Sequence, residues 1–193
     1  MLVSWALCIV RVATNGRGRP LGVRAVIRIL AVALVGVALL GLPAAAQTGS
    51  NIVAGQSAGG LRIGTSVSDV IASLGSLYES EDSESGKYTL YDWPLKPFAV
   101  AVEKESGRVV LVLVGFTDIF RTDKGIAGGS ERQAVETAYG KEYTSSEGGR
   151  STRLIYDELG IAFDLGRSGA LLSKVTQIFI FVPGQWKAIM EGL

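Results

Sequence analysis

Apolar residues at Val67, Val70, Ile71 and Leu74 recur at the spacing of one helical face, and Ala134, Val135, Ala138 and Tyr139 repeat that stripe further along. Thr65 or Ser66 stands where the first helix needs a cap, and Gly75 stands where it must stop. Ser130 with Gln133 reads as a capping box for the second, which Gly140 closes. Helices this short are marginal alone, so both need a sheet to lie on.

The pattern then changes period. The stretches "KYTLYDW" from Lys87 and "STRLIYD" from Ser151 read as first strands, and "FAVAVE" from Phe98 and "IAFDL" from Ile161 as second strands. Gly- and Ser-rich turns lead to third strands, "RVVLVLVGF" and "KVTQIFIFV", whose nearly continuous apolar runs place them centrally or under cover on both faces. The expected fold class is α+β: two tandem repeats, each a short helix followed by a three-stranded antiparallel meander, with both helices on one face of a shared curved sheet.

The two halves match at an offset of 65 residues. Gly60 meets Gly125, Gly64 meets Gly129, Val70 meets Val135, Gly75 meets Gly140 and Tyr78 meets Tyr143; further on, Tyr91 meets Tyr156, Asp92 meets Asp157 and Phe98 meets Phe163. The matches fall on turns and core positions, as expected for a duplicated unit. The shared frame of glycine, hydroxyl residue, valine and closing glycine, followed by a Tyr-Asp strand, "GIAFDL" and "VTQIFIF", resembles the repeat of the small outer-membrane assembly lipoproteins (SmpA/OmlA, BamE-like) and of the β-lactamase inhibitor protein. That resemblance covers about residues 60–182 and implies a continuous sheet that grips a protein partner on its concave face. The chain departs from those families in its cysteines, since Cys8 is its only one.

The first 46 residues have a different character. They hold five arginines and no acid, and "ILAVALVGVALLGLP" leads into "AAAQ". This is the layout of a cleaved signal peptide, 1–46, and the run is too short to span a bilayer comfortably. An uncleaved N-terminal anchor is the alternative, and Val23 onward would suffice as a signal, so the true start is expected downstream of Met1. The remaining organisation reads as a flexible mature N-terminus at 47–59, repeats at 60–121 and 122–183, and a tail or short terminal helix at 184–193. Beyond residue 46 the charge is 14 basic against 18 acidic residues, net about −4, with no basic cluster. Nucleic-acid binding is disfavoured, and a periplasmic or secreted location is expected.

Composition also closes off chemistries. The chain has no histidine, and Cys8 lies before the apolar run. Histidine-based nucleophile activation, acid–base catalysis and metal ligation are therefore excluded. Asp92 and Asp157 could form an acid–base pair but read better as residues that turn the chain after a strand tyrosine. The acids Glu79, Glu81, Asp82 and Glu84 lack calcium-loop spacing and read as a solvated loop. Gly59, Gly60 and Gly64 precede no Gly-Lys-Ser/Thr and serve helix entry rather than phosphate binding. No catalytic, cofactor or metal site is expected.

What remains is a binding protein, not an enzyme, whose partner is an envelope or secreted protein; a binder of a small hydrophobic ligand or lipid is the alternative. Trp93, in the proline-flanked "DWPLKP", reads either as an anchor on a rigid loop or as a ring that closes one end of the core, with weaker anchor candidates at Phe116, Phe120 and Trp186. With both helices on one side, the other sheet face is expected to be left open. Alternation places Tyr91 and Trp93 on one side of their strand, and these two with Tyr156 are the candidate partner-binding residues.

Overall fold

The computed structural model describes residues 51–193; the expected signal peptide and residues 47–50 lie outside the described residues. Three two-residue strands, β1 (Ile52–Val53), β2 (Ser57–Ala58) and β3 (Leu61–Arg62), form a small antiparallel sheet. The expected flexible segment is thus folded over its described part: Ile52 and Ala58 are fully buried, and the Ile52 N–H donates to the Arg121 carbonyl at 3.0 Å. Strands of two residues are too short to show a period of two, which is why the pattern missed them.

Helix α1 (Val67–Leu74) starts where the sequence places it. Its N-cap Ser66 accepts from the Asp69 N–H through Oγ, and Gly75 closes it. Four strands follow, β4 (Glu79–Asp82), β5 (Tyr88–Trp93), β6 (Phe98–Glu103) and β7 (Arg108–Val114). Helix α2 (Arg132–Tyr139) comes next, then β8 (Thr144–Glu147), β9 (Ser151–Tyr156), β10 (Ile161–Gly166) and β11 (Val175–Phe181). Helix α3 (Trp186–Gly192) ends the chain. The expected capping box on α2 is absent: its N-cap is Glu131, and the Ser130 hydroxyl accepts from the Ala127 N–H instead, holding the preceding loop.

The protein is α+β, with strand order β4-β5-β6-β7-β11-β10-β9-β8 in an eight-stranded sheet, every pairing antiparallel. Each meander has four strands rather than the expected three. The extra ones, β4 and β8, are the outer edges, and all of their residues are exposed. No buried face marks them in the sequence, so the acidic stretch from Glu79 looked like a loop. The apolar runs β7 and β11 lie side by side at the centre, joined through Leu113 opposite Phe179.

Alternation divides the sheet's two faces. Val100, Val112, Phe163, Ile178 and Ile180 point to one side, where they share a buried cluster with Val70 and Leu74 of α1, Val135 of α2 and Ile52, Ala58 and Leu61 of the small sheet. Ala101, Leu111, Ile155, Ala162, Phe179 and Phe181 point to the other, and Ile189 of α3 packs on them, with Trp186, Met190 and Leu193 partly buried beside it. The second face is therefore not left open, because the tail folds back as α3 and covers it. The Asp157 carboxylate accepts from the Trp186 N–H at 3.1 Å, and the Ser85 hydroxyl donates to the Gly192 carbonyl, so both ends of the helix are tied down.

Matching details recur in both halves of the large sheet. A bulge falls between Ala101 and Val102 in one and between Asp164 and Leu165 in the other. Val109 exchanges backbone hydrogen bonds with Gly64 and Thr65, and Val175 does so with Gly129 and Ser130.

Candidate functional site

The three aromatic residues expected on a recognition surface lie on the side covered by α1 and α2. Trp93 is the last residue of β5 and only 1% exposed, Tyr156 is buried at the end of β9, and Tyr91 is half-buried against the same cluster. The indole N–H of Trp93 donates to the Gly75 carbonyl, and the Tyr156 hydroxyl donates to the Gly140 carbonyl, each at 2.8 Å. Both rings thus satisfy a carbonyl at the end of a helix. Tyr78 stacks edge-on against Tyr91 at 5.4 Å, and Tyr143 against Tyr156 at 5.6 Å. Alternation did put Tyr91 and Trp93 on one side, but a large ring with one polar tip is also what a helix end buried on a sheet requires. Trp93 faces Phe98 across its hairpin as Tyr156 faces Ile161 across the other.

The remaining candidates separate in the same way. Asp157 does open a turn, while Asp92 lies within β5 and is exposed. Among the described residues no group of three or more acids is placed to hold a metal ion. The acidic strand β4 instead pairs with β5, and Asp82 takes Lys104 Nζ at 2.5 Å and the Thr89 hydroxyl at 2.8 Å. The hydrogen bond from Lys104, then that from Thr89, holds the Asp82 carboxyl below its ordinary range. Phe120 packs on Phe98 at 4.9 Å, and Trp186 on Phe181 at 4.9 Å. Phe116 alone of the weaker candidates is exposed, at 57%.

Phe116 borders a cleft of about 510 Å³ that sequence reasoning did not assemble. Leu171, in a short 3-10 turn at Gly169–Leu171, shares its lining, along with Ser151, Asp164, Thr176 and Gln177. Asp164 is buried, and Arg153 grips it with two hydrogen bonds, at 2.5 Å and 2.7 Å, while the Ser151 hydroxyl adds a third at 3.3 Å. The Arg153 guanidinium also lies 4.2 Å over the Phe179 ring and 5.1 Å from Trp186, so it links the cleft wall to α3. Arg150 and Arg167 complete the lining. A small glycine permits the approach: at Gly166 any side chain would collide with the Leu171 backbone. The only sequence signal for this site was the apolar connector; the residues lie on β9, β10, β11 and three loops, and only the fold joins them.

A second cluster is structural. Arg132 donates to Glu136 at 2.8 Å and to the Tyr143 hydroxyl at 2.7 Å, and Tyr143 donates to Glu136 at 2.9 Å. The Arg132 hydrogen bond, followed by that of Tyr143, holds the Glu136 carboxyl below its ordinary range. Burial pushes the phenols of Tyr139 and Tyr156 up to about 12. No described helix is long and apolar enough to cross a membrane.

No family model and no curated relative matches the chain. Among solved structures it is similar to the uncharacterized protein YfeY of Escherichia coli, at 14% identity and a TM-score of 0.49, over 67% of this chain and 98% of that one. It is also similar to an extracellular protein containing an SCP domain from Bacillus anthracis, at 12% identity and a TM-score of 0.44, over 64% of this chain and 45% of that one. A cysteine-rich secretory protein of Staphylococcus aureus matches at 13% identity and a TM-score of 0.40, over 62% of this chain and 44% of that one. The chain spans less than half the length of these last two proteins. The expected resemblance to the outer-membrane assembly lipoproteins and the β-lactamase inhibitor protein is corrected here, since neither is found among the structural neighbours. The shared glycine and valine frame is mostly turn and core punctuation, which any helix-plus-meander unit needs, and so it does not single out a family.

Proposed function

We propose that the protein is an exported, non-catalytic binding module built from two tandem repeats, and that it contacts a protein partner through the loops at the Phe116 end of the large sheet. The observation that carries the binding reading is the exposure of Phe116 and Leu171 at one cleft, 57% and 40% respectively. Large apolar side chains gathered at a concave surface favour contact with a partner. Both sheet faces are covered by helices, so the loops take over the role first expected of a sheet face.

Support for the repeat reading comes from the matched bulges and the matched Val109 and Val175 hydrogen bonds. The helices keep the 65-residue offset, whereas the hairpins stand 63 apart (156 − 93), because the loop before β9 is two residues shorter than the one before β5. Export rests on the basic, then apolar, then small-residue order of the first 46 residues. A non-catalytic role is supported by the lack of histidine and of any cysteine beyond Cys8. Charged side chains line each described cleft, which favours a protein partner over a wholly apolar ligand.

The test is affinity capture from the native envelope and culture fractions with the protein and its Phe116→Ser and Leu171→Ser variants. A partner retained by the parent and lost by both variants, at unchanged melting temperature, supports the reading. A partner held equally by all three would move the contact elsewhere.

A further inference from the structure

We infer that this cleft selects an acidic–apolar segment of the partner polypeptide, seating a carboxylate on Arg150 and Arg167 and an adjacent apolar side chain between Phe116 and Leu171; the inference rests on the binding reading above. The selection follows from which charges in the cleft are already committed. Asp164 presents the only carboxylate of the lining, and Arg153 and Ser151 occupy both of its oxygens. Its charge is already paired with the Arg153 guanidinium.

The two cations of the lining are held far less firmly. Arg150 takes part in no ion pair among the described residues. Arg167 has Glu147 at 3.4 Å, an exposed pair, and donates to the Gly148 carbonyl at 3.0 Å. Exposed pairs of this kind exchange readily for a better-placed anion, and guanidinium groups favour carboxylates through paired hydrogen bonds. The acidic balance of the chain beyond residue 46 makes this cationic cleft a local exception. Ser151, Thr176 and Gln177 offer neutral donors and acceptors suited to a peptide backbone. A volume of about 510 Å³ accommodates two or three residues.

The experiment is fluorescence anisotropy of the purified full chain with three fluorescein-labelled hexapeptides, alternating glutamate with leucine, lysine with leucine, and glutamate with serine. The expected result is saturable binding of the glutamate–leucine peptide alone. Arg150→Gln and Arg167→Gln should each weaken it by about fivefold or more, with a marked salt dependence, while Lys124→Gln, remote from the cleft, leaves it unchanged. Melting temperatures measured on every variant separate lost binding from lost folding. Equal binding of the lysine–leucine peptide, or folded arginine variants that bind like the parent, would overturn the charge assignment. Competition by dodecanoate as strong as by the peptide would overturn the polypeptide assignment in favour of a lipid-like anion. If Phe116→Ser abolishes capture of a native partner but the arginine variants capture it normally, the selection fails while the binding reading stands.

Discussion

The Trp93 indole N–H reaches the Gly75 carbonyl at 2.8 Å, tying the last residue of β5 to the end of α1. Tyr156 makes the equivalent bond to Gly140 at the end of α2, also at 2.8 Å. Tyr156→Phe keeps the ring and removes only the donor, which is expected to cost about 1–2 kcal/mol, the range for a buried hydrogen bond whose acceptor loses its partner. Trp93→Phe also removes the five-membered ring and should cost more. Urea unfolding should show the midpoint fall with an unchanged slope. Trp93→Ala adds a cavity and should cost about 3–5 kcal/mol; a near-neutral Trp93→Ala would place the ring outside the core.

The Arg153–Asp164 pair tests how α3 is held. The Asp164 side chain is 5% exposed and that of Arg153 26%. Asp164→Asn leaves the guanidinium poorly compensated and is expected to cost about 3 kcal/mol. Arg153→Met in that background should cost less than in the parent, because the two effects share one interaction. A double-mutant cycle in chemical denaturation measures the coupling, expected at 1 kcal/mol or more by the same principle.

Two glycines separate crowding from backbone strain. Gly160 has φ of 69°, and a Cβ there would overlap the Phe181 carbonyl and the Gly55 backbone. Gly140 has φ of 88° with open space around the same point. Gly140→Ala should cost about 1 kcal/mol, from conformation alone, and Gly160→Ala clearly more. Comparing their melting temperatures checks the close approach of the β1–β2 turn to the start of β10.

Alkaline pH should weaken the fold in a defined window. Burial raises Tyr139 and Tyr156 from 10 in the unfolded chain to about 12 in the folded one. Between these values the unfolded chain gives up protons that the folded one keeps, so stability is full below pH 10 and declines as pH rises toward 12. Absorbance at 295 nm should show Tyr139 and Tyr156 ionising late in the folded chain. Tyr139→Phe should make the decline shallower.

Much of this architecture could be read directly from local pattern. The stripe at Val67, Val70, Ile71 and Leu74 and the cap at Ser66 located α1, because helical periodicity and capping depend on residues within one or two turns. The apolar runs Arg108–Val114 and Val175–Phe181 identified the central strands, since only a strand buried on both faces dispenses with alternation. The histidine count closed whole classes of chemistry before any fold was known. Tertiary structure decided the rest. Edge strands β4 and β8 bury no side chain, so no hydrophobic period announces them. Alternation showed that Tyr91 and Trp93 share a side but not which side, because that depends on where α1, α2 and α3 settle. The cleft joins Phe116 to Leu171 across 55 positions of sequence, and such a meeting exists only after β7 and β11 pair.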